Sequence, residues 1–167
     1  MKTVTIPNDI FFAHAKKLID EGHTLTITVV GHSMQPFFES LRDEVKLEKC
    51  RSAKVGDMIL ALTDDRRYVA HRVIAVNGEK ITMRGDGNVY GIEHAVLEDV
   101  VGIVTHYRRK GENAFHSMHS WKWRLYSLLW PRNKWVRRCF LAFHHYVWLR
   151  IVWLAKKPEW IKLDKKQ

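Results

Sequence analysis

The chain has 167 residues, of which 46% are hydrophobic, so it is long and apolar enough for one globular domain with an appended segment and is not a disordered tail. Its two cysteines, Cys50 and Cys139, lie far apart and form no metal-type spacing, which argues against a disulfide framework. The net charge of +10 is uneven: residues 1–104 contain 13 Lys and Arg against 15 Asp and Glu, and residues 105–167 contain 15 against 3. A change in character is therefore predicted near residues 107–112.

The first predicted element is a short amphipathic helix over residues 8–22, with Asn8 or Asp9 as its N-cap and Gly22 as its end. Its apolar side is formed by Phe11, Phe12, Ala15, Leu18 and Ile19. The first thirty residues also contain several charged residues, so we expect no signal peptide there.

Short strands are predicted after this helix. The stretch "TLTITVV" at residues 24–30 is rich in β-branched residues. Further strands are predicted at 44–48, 58–62, 68–76, 79–83 and 100–106. Asn77-Gly78 predicts a two-residue hairpin turn between two of them. Short strands joined by tight turns predict a mainly β fold, antiparallel and barrel-like.

The first strand runs into "VVGHSMQPFF", which places Ser33 near Gly31 and Pro36. An ordinary tight turn accounts for this composition when it is taken alone. A serine becomes a nucleophile only when a base removes its proton, and His71 in the strand "YVAHRVI" is the candidate base. The alternative is a strand histidine that makes one structural hydrogen bond.

Five blocks follow one another along the chain: G-H-S-M-x-P, V-G-D-M-I, A-H-R-V-I, R-G-D-G-N and D-V-V-G-I-V. Over residues 24–106 this succession resembles the signal peptidase and LexA-like serine peptidase superfamily. It is most similar to the Ser-His branch, which includes archaeal and endoplasmic-reticulum signal peptidases and small bacterial members. The resemblance implies that Ser33 is the nucleophile and that His71, at the position of the lysine of bacterial leader peptidases, is the general base.

The resemblance also implies an acidic partner for the histidine. Asp86 of the "GDGN" turn is the first choice and Glu93 the second, while a turn-capping role is the structural alternative. The backbone N–H of Ser33 is the expected oxyanion-hole donor. Many signal peptidases supply a second donor from a small hydroxyl residue two positions earlier, where this chain has Gly31.

The predicted function is that of a serine endopeptidase that cleaves a leader or signal-like peptide, with the substrate paired against a strand edge. The alternatives are a non-catalytic or autoproteolytic LexA-like module whose basic tail binds nucleic acid or a partner. The residues before the first strand are too few for a usual helix-turn-helix unit, and nucleic acid is not the expected partner. We expect no cofactor and no metal, because His116 and His119 have no suitable third ligand nearby.

The C-terminal segment combines all seven tryptophans with most of the arginines. Residues 135–155 place Val136, Phe140, Phe143, Val147, Ile151 and Leu154 on one helical stripe, with Arg137, Arg138, His144 and His145 off it. This pattern favours a helix at an anionic membrane surface. Packing on the β domain and docking on a partner are the alternatives. A complete span is not expected, because the apolar run 139–155 is shorter than about 20 residues and contains three basic or histidine side chains.

Three regions are therefore predicted: an N-terminal helix (1–23), a signal-peptidase-like catalytic β domain (24–107) and a basic, Trp-rich helical tail (108–167). The tail predicts association with a membrane, on the cytoplasmic side, with a cytoplasmic location as the alternative.

Overall fold

A computed structural model of the protein describes residues 8–131 and 133–148. Within these residues, eight strands form one antiparallel sheet that curls into a half-barrel, accompanied by three α-helices. The chain divides into two compact units, Met1–Trp130 and Pro131–Gln167. The prediction of a mainly antiparallel β fold with a short N-terminal helix is confirmed.

The first unit contains ten of these elements. They are α1 (Asn8–Asp20), β1 (Leu25–Thr28), β2 (Asp43–Glu48), β3 (Met58–Leu62), β4 (Tyr68–Asn77), β5 (Lys80–Arg84), β6 (Glu93–Val96), β7 (Val100–Arg109), β8 (His116–Ser117) and α2 (Trp121–Leu129). The strand order is β1-β2-β7-β3-β4-β5-β6, and β8 also pairs with β7. The predicted hairpin at Asn77-Gly78 is confirmed, because Asn77 pairs with Lys80 across the turn.

Two strands, β6 and β8, are absent from the prediction. β8 contains only two residues, too few for a period-2 pattern, and β6, with the sequence EHAV, contains a single β-branched residue. β7 extends to Arg109 because its last residues pair with β2, where Asp43 lies opposite Arg109. Strand formation at these positions follows from pairing across the sheet.

Helix α1 packs on the sheet through Ala15 and Ile19, both of which are buried. Leu18, which the pattern assigned to the apolar side, is exposed. Successive helical residues are about 100° apart, so the burial of Ile19 against the sheet turns Leu18 toward solvent. The predicted amphipathic helix is therefore present, and its buried face is narrower than predicted.

The first unit extends well past residue 107, where the predicted catalytic domain ends. Strand β8 pairs with β7, and Met118 and Trp123 lie in the hydrophobic core. The ring of Trp123 packs edge-on against Phe37, with 4.9 Å between ring centroids. Residues 108–130, which the composition assigned to the tail, thus belong to the same compact unit as the sheet.

The second unit contains α3 (Lys134–Phe143), which continues into a wider π-type turn over His144–Trp148. Asn133 caps the helix, because its side-chain oxygen accepts from the backbone N–H groups of Trp135 and Val136 at 2.9 and 3.4 Å. On the predicted stripe, the described members Val136, Phe140, Phe143 and Val147 are exposed. Ile151 and Leu154 lie outside the described residues.

No helix within residues 8–131 and 133–148 is both long enough and apolar enough to cross a membrane.

Candidate active site

The loop between β1 and β2 presents Ser33 at the surface of the first unit. Met34 and Phe38 are buried in the core beneath it, and the N–H of Phe38 donates to the carbonyl of Met34 at 3.1 Å. At the end of the loop, the buried Asp43 carboxylate accepts from the N–H of Glu39 at 3.0 Å. Buried apolar side chains that follow the serine thus anchor the loop, and Ser33 stays partly exposed.

Strand register brings the turn that follows β5 against this loop. Arg72 of β4 pairs with Arg84, the last residue of β5, so Gly85 comes next to His71 and Gly87 next to the backbone of His32 and Ser33. The N–H of Gly87 donates to the carbonyl of Ser33 at 2.7 Å. A Cβ on Gly85 would lie 2.4 Å from the Ser33 carbonyl oxygen and 3.0 Å from His71 Nε2. Ser33 and His71, which lie 38 positions apart in the chain, are therefore neighbours in the fold.

The Ser33 hydroxyl donates to no side chain within the described part of the chain. Catalytic hydrogen bonds between a nucleophile and its base are often long or poorly aligned before substrate binds, and they shorten in the substrate complex. The carbonyl oxygen of Ser33 and Nε2 of His71 both lie beside Gly85, so the serine and the imidazole face the same turn.

The loop that contains Ser33 and the turn that follows β5 can approach so closely only because the turn has glycine at position 87. A Cβ on Gly87 would lie 2.4 Å from the carbonyl oxygen of His32, closer than two nonbonded atoms can come. We expect Gly87→Ala to displace the turn from Ser33 and to lower the free energy of unfolding by about 1–3 kcal/mol through steric overlap. Thermal melting measures this loss of stability.

Gly111→Ala is the matched control for this variant, because the added methyl group meets nothing within 4 Å and only local backbone strain results. It should lose less stability than Gly87→Ala. An unchanged melting temperature of Gly87→Ala would show that the Ser33 loop and the Gly85–Gly87 turn are not in close contact.

His71 is 3% exposed, and its Nδ1 lies 3.0 Å from Oε2 of Glu93. A proton on Nδ1, donated to Glu93, leaves Nε2 as the acceptor on the side where Ser33 lies. Burial lowers the pKa of His71 below its ordinary value, and the negative charge of Glu93 partly opposes this shift. The imidazole is therefore held neutral and oriented, as a general base must be.

Asp86, the first choice for the acidic partner, does not contact His71. Its carboxylate makes a bidentate ion pair with Arg72, with Nε to Oδ1 at 2.9 Å and Nη2 to Oδ2 at 2.6 Å. The hydroxyl of Tyr126 donates to Oδ2 at 2.9 Å, and Asp86 is only 1% exposed. Of the two acids proposed from the sequence, Glu93 is the one that the structure brings to the histidine.

Helix α2 completes the surroundings of Arg72. The guanidinium donates from Nη1 to Ser127 Oγ at 2.7 Å and lies 4.3 Å from the centre of the Trp123 ring. Arg72, Tyr126 and Ser127 are site-supporting residues that the sequence analysis missed. Their only sequence signal is an arginine within an otherwise apolar strand, and nothing local links it to residues so far along the chain.

The backbone N–H of Ser33, the expected oxyanion-hole donor, donates to no acceptor within the described residues. The N–H of Gly31, in contrast, donates to Ser40 Oγ at 3.1 Å. Gly31 has φ +100°, a left-handed conformation that disfavours the small hydroxyl residue of many signal peptidases. Ser33 therefore offers a free donor at the site, and Gly31 does not.

A groove of 580 Å³ opens at Ser33 and His71 and is lined mainly by apolar side chains. Residues 26–31 form one side, residues 68–71 another, and Phe11 and Phe12 of α1 contribute to its wall. β1 pairs only with β2 among the described strands, and residues 68–71 precede Arg72, where pairing with β5 begins. Two unpaired strand edges therefore line the groove.

No protein-family model matches the chain, and no curated protein matches it. Among the described residues, no three or more histidine, cysteine or acidic side chains are grouped so that they could hold a metal ion. Ser33, His71, Glu93 and the groove beside them are the groups that determine the chemistry of this site.

Proposed function

We propose that the protein is a serine endopeptidase of signal-peptidase type, with Ser33 as nucleophile and His71 as general base. One observation carries the proposal: Ser33 and Nε2 of His71 lie together at an apolar groove while Glu93 holds Nδ1 on the far side of the ring. The order of the five sequence blocks, which resembles that of the signal peptidase and LexA-like superfamily, supports it independently.

In the proposed reaction, His71 Nε2 takes the hydroxyl proton as Ser33 Oγ attacks the carbonyl carbon of the scissile peptide bond. The N–H of Ser33 stabilises the oxyanion that forms. His71 then gives its proton to the leaving amine, which departs. In the second step His71 takes a proton from water as the water attacks the acyl-enzyme, and returns it to Ser33 Oγ as the acid product leaves. Glu93 keeps the imidazole in the required tautomer and stabilises its protonated form, so it acts as a positioning residue.

The substrate proposed for this site is an extended peptide with apolar side chains, as in a leader or signal-like sequence. The unpaired edges of β1 and of residues 68–71 offer backbone donors and acceptors to an added strand. Apolar side chains line the groove between them, among them Phe12, Ile27, Val29, Met34 and Tyr68. Phe12 and Tyr68 contact each other, with 4.9 Å between ring centroids, so α1 participates in shaping the groove.

The pH dependence of cleavage tests the assignment of His71. Because burial lowers the pKa of His71, the neutral base persists at mildly acidic pH, and activity should rise with a midpoint below the ordinary histidine value of about 6.5. Glu93 raises that pKa, so Glu93→Gln should move the midpoint further down while lowering the maximal rate. The measurement is kcat/KM against pH for the full chain on an internally quenched apolar peptide.

Glu79→Gln provides the control for this profile, since Glu79 is an exposed residue of the β4–β5 turn. Its profile should overlay that of the unmodified chain. An activity that rises only above about pH 8 would contradict a histidine base, and a midpoint that is unchanged in Glu93→Gln would contradict the role of Glu93.

A further inference from the structure

Helix α2 has two faces of different character. On the inner face, Trp123 is buried, as is Trp130 directly after the helix, and Tyr126 and Ser127 bind Asp86 and Arg72. The outer face presents four large apolar side chains at i, i+4, i+7 and i+8 spacing: Trp121, Leu125, Leu128 and Leu129. Trp121 is 70% exposed and Leu128 is 81% exposed. Contiguous exposed apolar side chains of this size are unusual on a soluble surface and mark a site of interaction.

The charges around this face restrict the kind of partner. Lys122 and Arg124 are exposed on the same helix, and residues 113–130 of the first unit contain no Asp or Glu. A cationic surface attracts anionic groups, which nucleic acid and anionic phospholipid both provide. Phosphate contacts make no use of exposed leucines, whereas the boundary between lipid headgroups and acyl chains accommodates leucine and tryptophan together.

We propose that the outer face of α2 binds the surface of anionic phospholipid bilayers. The three leucines enter the acyl boundary, Trp121 lies at headgroup level, and Lys122 and Arg124 meet lipid phosphates. Helix α3 of the second unit carries a comparable exposed set that includes Trp135, Val136 and Phe140 beside Lys134.

This surface is held firmly by the unit that contains Ser33. The inner face of α2 is joined to the buried Arg72–Asp86 pair by hydrogen bonds of 2.7 and 2.9 Å. Binding through the outer face therefore keeps the whole first unit at the bilayer. It involves no contact with Ser33, His71 or Glu93. The proposal goes beyond the peptidase function and does not depend on it.

The test is co-sedimentation of the full chain with phosphatidylcholine vesicles that contain or lack phosphatidylglycerol, at low and high salt. The unmodified chain should bind the anionic vesicles, and part of this binding should survive high salt because apolar burial is not screened. A variant with Leu125→Ser, Leu128→Ser and Leu129→Ser should lose at least about tenfold in partitioning, including the salt-resistant part. Lys122→Gln with Arg124→Gln should weaken binding at low salt.

The matched control removes three apolar side chains that are exposed elsewhere on the first unit: Val55→Ser, Tyr90→Ser and Ile92→Ser. It should bind vesicles as the unmodified chain does, and so should Ser33→Ala, which separates this proposal from the peptidase function. Thermal melting confirms that each variant is folded, and Leu128→Ser alone gives a smaller loss from the most exposed leucine. Unchanged binding by the triple leucine variant, an equal loss in the control, or complete displacement by duplex DNA would overturn the proposal.

Discussion

Replacement of Ser33 by alanine is expected to abolish peptide cleavage without unfolding the protein. The change removes the attacking oxygen, and loss of a serine nucleophile lowers kcat by on the order of 10⁴-fold or more. The hydroxyl bonds no side chain within the described residues, and Ser33 is partly exposed, so its removal leaves no buried group without a partner. Cleavage of a library of internally quenched apolar peptides, together with thermal melting, measures both properties.

Ser52→Ala is the control, because Ser52 is an exposed serine of the same unit and does not line the groove. It should keep full activity. Cleavage that persists in pure Ser33→Ala protein would refute the assignment of the nucleophile. If the unmodified chain cleaves none of the peptides, the alternative of a non-catalytic module replaces the peptidase.

The second large effect is expected from Asp86→Ala, and it concerns stability. Removal of this carboxylate leaves the buried Arg72 guanidinium without its counterion, and breaking a buried ion pair in this way costs about 3–5 kcal/mol. The Tyr126 hydroxyl also loses its acceptor. The free energy of unfolding, measured in urea by tryptophan fluorescence, should fall accordingly, and Trp123 lies close enough to Arg72 to report the change.

Two further variants serve as comparisons for Asp86→Ala. Asp65→Ala removes one partner of an exposed ion pair with Arg67, where side-chain exposure is 72% and 64%, and such pairs contribute only about 0–1 kcal/mol. Glu93→Gln should lower kcat/KM, because Glu93 orients His71, and should lower the free energy of unfolding less than Asp86→Ala does. An Asp86→Ala protein as stable as the unmodified chain would show that the Arg72–Asp86 pair does not hold the turn.

Ser33 and His71, the proposed nucleophile and base, could be singled out in the sequence because both lie in local motifs. Ser33 follows a strand and precedes a proline, and His71 lies within a strand of recognisable alternation. Their proximity in space depends on pairing between distant elements: the register that places Arg72 opposite Arg84 brings the Gly85–Gly87 turn between them. No pattern within a short window contains that information.

The choice between Asp86 and Glu93 also depended on the tertiary structure. Asp86 and Glu93 follow the end of β5 by two and nine residues, and the resemblance to the Ser-His branch favoured Asp86. Pairing of Met83 with Glu93 sets β6 beside β5 and directs Glu93 to His71. Arg72, next to His71 in the strand, binds Asp86 instead. Adjacent side chains of a strand point to opposite faces. His71 and Arg72 therefore bind different carboxylates.

The sequence by itself determined the fold class, the N-terminal helix, the longer strands and the Asn77-Gly78 hairpin. These features follow from propensities and periodicities between near neighbours in the chain. The tertiary structure alone decided the extent of the first unit. Composition and charge change near residue 107, yet the unit continues through α2 because Trp123 packs in the core and Ser127 binds Arg72. Whether a residue is buried depends on where its helix lies against the sheet. The composition of a segment does not predict that position.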